Sequence, residues 1–173
     1  MPFPSQESLQ KYAELIVRVG LNLREGQRLL INNLTTRGVL LHVAPLVREV
    51  AKAAYKAGAR YVDVLWGDEE LLKTRVQMAP RDSFDEFSEW QVKALMDLFE
   101  QDGAHLTIRS NNPDLLEGED MEIVGQVHKV YLEHYENYSK LIGKTLMNWL
   151  VVAAAGPAWA ARVFPDLEPA DAE

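Results

Sequence analysis

"APLVREVAKAAYKAGARYVDVLWGD", Ala44 to Asp68, carries the pattern from which the architecture follows. Its first half puts Leu46, Val47, Val50, Ala54 and Ala57 on one helical stripe, and Gly58 supplies the stop, since glycine takes a left-handed cap without steric cost. Its second half, "RYVDVLWGD", is rich in β-branched and aromatic residues and closes in a Gly-Asp turn, as a strand does. Ahead of both, after the turn "REGQ", stands the short apolar run "RLLIN", Arg28 to Asn32. Strand, helix, strand in that order implies parallel pairing, because a helical crossover returns the chain in its original direction.

The pattern extends outwards in both directions. Towards the amino terminus, Leu9, Tyr12, Ala13, Ile16 and Val19 recur at spacings of three and four, with Ser5 or Ser8 available as cap and Gly20 near the end. "NLTTRGVLLH" fits either a loop or the start of a helix. Beyond Asp68 a helix runs to about Met78 and ends at Pro80. "SFDEFSEWQVKALMDLFEQDG" then gives one short and one longer amphipathic helix, with Trp90, Ala94, Leu95 and Leu98 facing inward and Gly103 as the stop. "AHLTIRS" reads as a third strand ended by the turn residues "NNPD", a long helix runs from Asp120 to about Lys144, and "LMNWLVVAAA" is a fourth strand. Tight hairpin turns are missing, so the expected fold is an α/β three-layer sandwich: a mostly parallel central sheet of about four or more strands, flanked by helices.

Composition narrows the function. With 26 acidic against 18 basic residues the net charge is −8, which argues against neutralising nucleic-acid phosphates or docking on anionic lipid. Absence of cysteine excludes disulfides, thiolate zinc sites and cysteine nucleophiles. The start "MPFPSQES" lacks the basic and apolar regions of a signal peptide, and "WLVVAAAGPAWAA" is too short and interrupted to span a bilayer. These features lead to the expectation of a cytoplasmic protein with neither nucleic acid nor membrane as partner.

Ligands of open parallel sheets gather at the carboxyl ends of the strands. Those ends read "INNLTTR", "LWGDEE", "IRSNNPD" and "AAAGPAW", which makes Asp68, Asn111, Asn112 and Asp114 the candidate polar lining of a substrate cleft. Each also fits a local role: Asp68 as the cap of the next helix, Asn112 before a proline, Asp114 as a turn acid. No glycine-rich phosphate loop and no Gly-x-Ser-x-Gly elbow is present. His128 and His134 point to opposite sides of their helix, while His42 and His105 stand apart from them, so each reads as a surface or satisfied core histidine. Tyr131, Tyr135 and Tyr138 form an aromatic stripe facing core or a partner. From the residues alone the chain offers a cleft, with neither catalytic residues nor a metal site.

Taken together, "LQKYAELIVRVGLNLREGQRLLI", "PLVREVAKAAYKAGARYVDVLWGDEEL", "NPDLLEG" and "NW" followed by "PAWAARVFPDL" resemble, in order and spacing, the amino-terminal part of the aminopeptidase T and aminopeptidase S family of metallo-aminopeptidases. The likeness runs from about Ser8 to Leu167. It implies an amino-terminal α/β domain, residues 1–167, and an acidic tail, 168–173, where the linker to a carboxyl-terminal catalytic domain would begin. It also implies cytoplasmic dimers that remove amino-terminal residues from peptides with two divalent metals such as zinc or cobalt. The family's catalytic residues belong to the second domain, so none is carried onto this chain, and the chain alone is expected to be inactive. Two departures stand out: the sequence breaks off at "EPADAE", and "AAAGPAW" replaces a more usual proline-containing approach.

The resemblance gives meaning to the last aromatic segment, "GPAWAARVFPDL". Pro157 starts a helix too short to stand without packing, and Trp159, Val163 and Phe164 form its apolar face. That face is expected to contact the catalytic domain or a second subunit, or to close the domain's own core. The alternative reading is a stand-alone α/β module that binds a small ligand or peptide in the cleft near Asp68 and Asn112.

Overall fold

The structure, a computed structural model, describes residues 5–144 and 146–166, so the tail 168–173 lies outside the described residues. Four strands, β1 (Arg28–Asn32), β3 (Tyr61–Val64), β5 (Ala104–Arg109) and β6 (Asn148–Ala153), form one sheet in the order β3-β1-β5-β6, with every pairing parallel. Two short strands, β2 (Val39–Leu40) and β4 (Trp66–Gly67), pair in parallel beside it.

Helices cover both faces. On one, α1 (Gln6–Glu14), its continuation Leu15–Gly20 and α2 (Ala44–Lys56) pack Leu9, Ile16, Val47 and Val50 against Leu29, Ile31, Leu106 and Ile108 of the strands. On the other, α4 (Trp90–Glu100), α5 (Met121–His134) and α6 (Glu136–Gly143) bring Leu95, Leu98, Tyr135 and Tyr138 over Leu30. A third cluster, Val76, Phe84 and Ile123, joins α3 (Glu69–Met78) to α5. The β1–α2–β3 connection moves one way along the sheet and the β3–α4–β5 connection moves back past β1. Right-handed crossovers in opposite directions require their helices on opposite faces, and α2 and α4 do sit in separate cores. The direction of winding therefore reverses between β1 and β5.

Several local readings are corrected. "RYVDVLWGD" is two strands that break at Leu65, whose N–H donates to Ile31 O at 3.0 Å while its C=O accepts from Val39 N at 2.7 Å. One residue thus leaves the main sheet and joins the small one. The ambiguous "NLTTRGVLLH" holds a loop, β2 and a 3₁₀ turn at Leu41–Val43. Gly67 is needed in the small sheet because a Cβ there would sit 2.5 Å from Thr36 O. In the first helix the turns after Leu15 widen to i→i+5 bonding up to Gly20, which rotates the stripe so that Ile16 and Val17 are buried and Val19 is exposed. Trp90, expected inward, opens α4 and is 54% exposed; Leu95 and Leu98 take the core. The long helix predicted from Asp120 to about Lys144 is interrupted at Tyr135, where ψ swings to 2°.

The last helix, α7 (Pro157–Val163), follows β6 and is held at two points. Arg162 Nη1 pairs with Asp114 Oδ2 at 3.1 Å, and Gly156 lies so close to the His42 ring that a Cβ would stand 2.6 Å from Nε2. Trp159 is half-buried, whereas Val163 and Phe164 are 56% and 49% exposed, so the apolar face is only partly covered. Among the described residues no helix is long and apolar enough to cross a membrane.

Candidate functional site

Where winding reverses, the loops leaving two neighbouring strands part and open a crevice at their carboxyl ends. Here those strands are β1 and β5, and the segment Asn33–Arg37 that leaves β1 borders a run of three adjoining cavities. Asn33 shapes the segment: its Oδ1 accepts from Thr35 N at 3.2 Å and from Thr35 Oγ1 at 2.8 Å. Arg37 follows in the left-handed region at φ 56°, and its carbonyl accepts from Gln91 Nε2 at 3.1 Å. Thr35 touches all three cavities.

The first cavity, about 220 Å³, is largely apolar, with Leu72, Val76, Phe84, Phe87 and Val127 around it and Arg37, Arg75, Glu86 and His128 at its polar points. Arg75 is anchored by donating to Ser83 O at 2.9 Å, and its guanidinium lies 5.6 Å from the centre of the Phe84 ring. Burial, helped by the nearby Arg37 charge, lowers its pKa. The second cavity, also about 220 Å³, extends past Arg37 and Arg75 to Trp66, Gly67 and Asp68. The third, about 170 Å³, lies over the face of β5 and β6 and reaches His105, Thr107, Arg109, Tyr131, Tyr138 and Trp149.

A buried polar relay forms the floor of the third cavity. His105, 2% exposed, places Nε2 2.7 Å from Asn32 Oδ1 and Nδ1 against the Tyr138 hydroxyl. The amide oxygen can only accept, so Nε2 carries the proton and Tyr138 donates to Nδ1. Burial pulls the His105 pKa down to about 3, so the ring is neutral at physiological pH. Burial raises the Tyr138 and Tyr131 hydroxyls, and pushes Tyr135 up to about 12, so all three tyrosines remain protonated donors. Tyr135 uses its proton on Gln91 Oε1 at 3.2 Å.

Of the residues anticipated for the cleft, Asp68 borders the second cavity and also caps α3, accepting from Glu70 N at 3.0 Å. Asn111, Asn112 and Asp114 border none of the three cavities. Asn112 and Asp114 build the adjacent loop instead: Asn112 N donates to Glu69 Oε2 at 2.8 Å, and Asn112 Oδ1 accepts from Asp114 N at 3.0 Å. The arginines of the groove and the His105–Tyr138 pair were not singled out by sequence reading. Position in "INNLTTR" and "IRS" was the available signal for Arg37 and Arg109; nothing in sequence pairs His105 with a tyrosine 33 residues away.

Metal ligation needs several carboxylates and imidazoles converging on one point. Among the described residues no three His, Cys, Asp or Glu side chains converge in that way. The described residues therefore do not fit a two-metal centre, and the three cavities present hydrogen-bond donors and arginines set among apolar walls.

Comparison with known proteins gives the family. Aminopeptidase 2 of Geobacillus stearothermophilus is 37% identical over 167 residues, which take in 96% of this chain and 39% of the relative. Aminopeptidase T of Thermus thermophilus is 33% identical over 162 residues, 94% of this chain and 38% of the relative. The solved structure of wild-type AmpT from Thermus thermophilus superposes with a TM-score of 0.89 at 32% identity, covering 98% of this chain and 41% of that one. The chain thus spans about two fifths of the length of the curated relatives it matches. A family profile, thermophilic metalloprotease (M29), matches residues 5–173. With the α/β sandwich shared and the match running through nearly every residue, this chain belongs to the thermophilic metalloprotease family.

Proposed function

We propose that this chain is the amino-terminal, non-catalytic part of a metal-dependent aminopeptidase, acting in the cytoplasm within a dimer. In that role the groove along β1 and β5 helps to shape the chamber that receives peptides. The exposed face of α7, with Trp159, Val163 and Phe164, contacts the catalytic part or a second subunit. Two divalent metals, zinc or cobalt, would be held by the catalytic part. The observation that carries the reading is the extent of the match: nearly the whole chain against about two fifths of each relative.

The test is hydrolysis of an aminoacyl p-nitroanilide by the purified 173-residue chain with added zinc or cobalt, beside a chelator control. No turnover by the chain alone is expected. Turnover abolished by the chelator would overturn the non-catalytic assignment, because it would require a metal centre built on this chain.

A further inference from the structure

We propose that the third cavity, between Thr107, Arg109, Tyr131 and Trp149, binds the α-carboxylate of an apolar amino acid, either free or as the carboxyl-terminal residue of a short peptide. This inference rests on the cavity and not on the aminopeptidase reading.

The first argument is an inventory of hydrogen-bonding groups. Asn33 is 1% exposed, and its Nδ2 is buried without an acceptor among the described residues, while its Oδ1 is occupied by Thr35. Buried amide protons are costly to leave unpaired, so such a group points to an acceptor supplied from outside. Thr107 and Tyr131 also border the cavity, and among the described residues neither hydroxyl makes a hydrogen bond. Arg109 supplies a guanidinium that forms no ion pair among the described residues.

The second argument is charge. Among the described residues no aspartate or glutamate borders this cavity, although the chain carries 26 acidic residues. A site offering donors and one cation, with acids kept away, selects an anion, and a planar guanidinium suits a carboxylate through two parallel bonds. The third argument is size and polarity. Leu34, Leu132, Ile142, Trp149 and Val151 supply its apolar walls, and about 170 Å³ is well below the roughly 300 Å³ at which drug-sized pockets begin. One apolar side chain beside its carboxylate fills such a space. The reversal of winding between β1 and β5 adds the expected location, since Asn33 and Arg109 stand at the carboxyl ends of those two strands.

The experiment is a titration of the ¹⁵N-labelled 173-residue chain, reading the Trp149 indole and Thr107 amide signals. The probes are N-acetyl-leucine, leucine, glycyl-leucine and N-acetyl-leucinamide. Saturable shifts are expected with the carboxylates, and binding of the amide at least about tenfold weaker, since it lacks the charged acceptor. Arg109→Gln should weaken the carboxylates by a similar factor while leaving the urea midpoint unchanged; Thr107→Val serves as a second variant of nearly equal shape. Preference for leucine would identify the free amino acid as the ligand, and preference for glycyl-leucine the peptide end. Absence of saturable shifts at these two signals, equal binding of the amide, or indifference to Arg109→Gln would each overturn the proposal.

Discussion

Replacing Tyr138 by phenylalanine removes one hydroxyl and keeps the ring, so it isolates the tie between α6 and the sheet from the packing that surrounds it. Tyr138 is almost fully buried, and its hydroxyl donates to His105 Nδ1, whose ring in turn donates to Asn32 Oδ1 at 2.7 Å. The phenylalanine variant leaves Nδ1 as a desolvated acceptor with no donor. Turning the ring to its other tautomer does not help, because Nε2 would then face an amide oxygen without a proton between them. Leaving one buried polar atom unpaired costs about 1–3 kcal/mol. For a domain of this size each kcal/mol corresponds to roughly 2–4 °C, so the midpoint should fall by about 2–12 °C. Urea unfolding at pH 7, followed by circular dichroism, measures the loss, and the slope against urea should stay the same because the surface exposed on unfolding is unchanged. A loss below about 0.5 kcal/mol, the level of an ordinary surface substitution, would refute the claim that this relay supports the sheet.

Two further predictions concern the same chain. His105 has a folded pKa near 3 against an ordinary value of 6.5, so on acidification the unfolded chain takes up the proton first. The stability contributed by the neutral ring is full above about pH 6.5 and is lost as pH falls from there towards 3, by up to about 1.4 kcal/mol per unit. Urea midpoints at pH 7 and pH 5 should differ in that direction while the His105 ring resonance of the folded protein stays fixed; a ring that titrates near pH 6 would refute it. Asp68→Ala removes the cap of α3 and should cost about 1 kcal/mol in thermal unfolding, while leaving the leucine-derivative titration untouched, because Asp68 borders the second cavity and not the third. Loss of that binding would show that the cavities act together.

The unit from Ala44 to Val64 was legible because each signal agreed with the next. The stripe through Val50, the left-handed Gly58 at φ 92° and the strand residues Val62 and Val64 all specify one outcome. The break at Leu65 was not legible: residues on both sides favour strand, and what separates β3 from β4 is an exchange of partners, which no single segment encodes. Trp90 misled for a related reason, since helical periodicity sets spacing without saying where the helix begins relative to the core. The strand-end rule pointed to the loops after the strands, but the groups that line the third cavity were not legible. Asn33 follows β1 whereas Thr107 and Arg109 lie on β5, and only the pairing of β1 with β5 brings them to one cavity.

Parallel pairing throughout the main sheet also sets the order in which this protein can assemble. With every described pairing parallel, β1 gains its first neighbour only after α2 and β3 have been made, and that three-element unit already joins most of the α2 face to two strands. The other side of β1 must wait for β5, and the hydrogen bond between Asn32 and His105 spans 73 residues. Loop closure over such distances slows folding. Until β5 is in place the second edge of β1 has no strand to pair with, and that pairing is what brings His105 to Asn32.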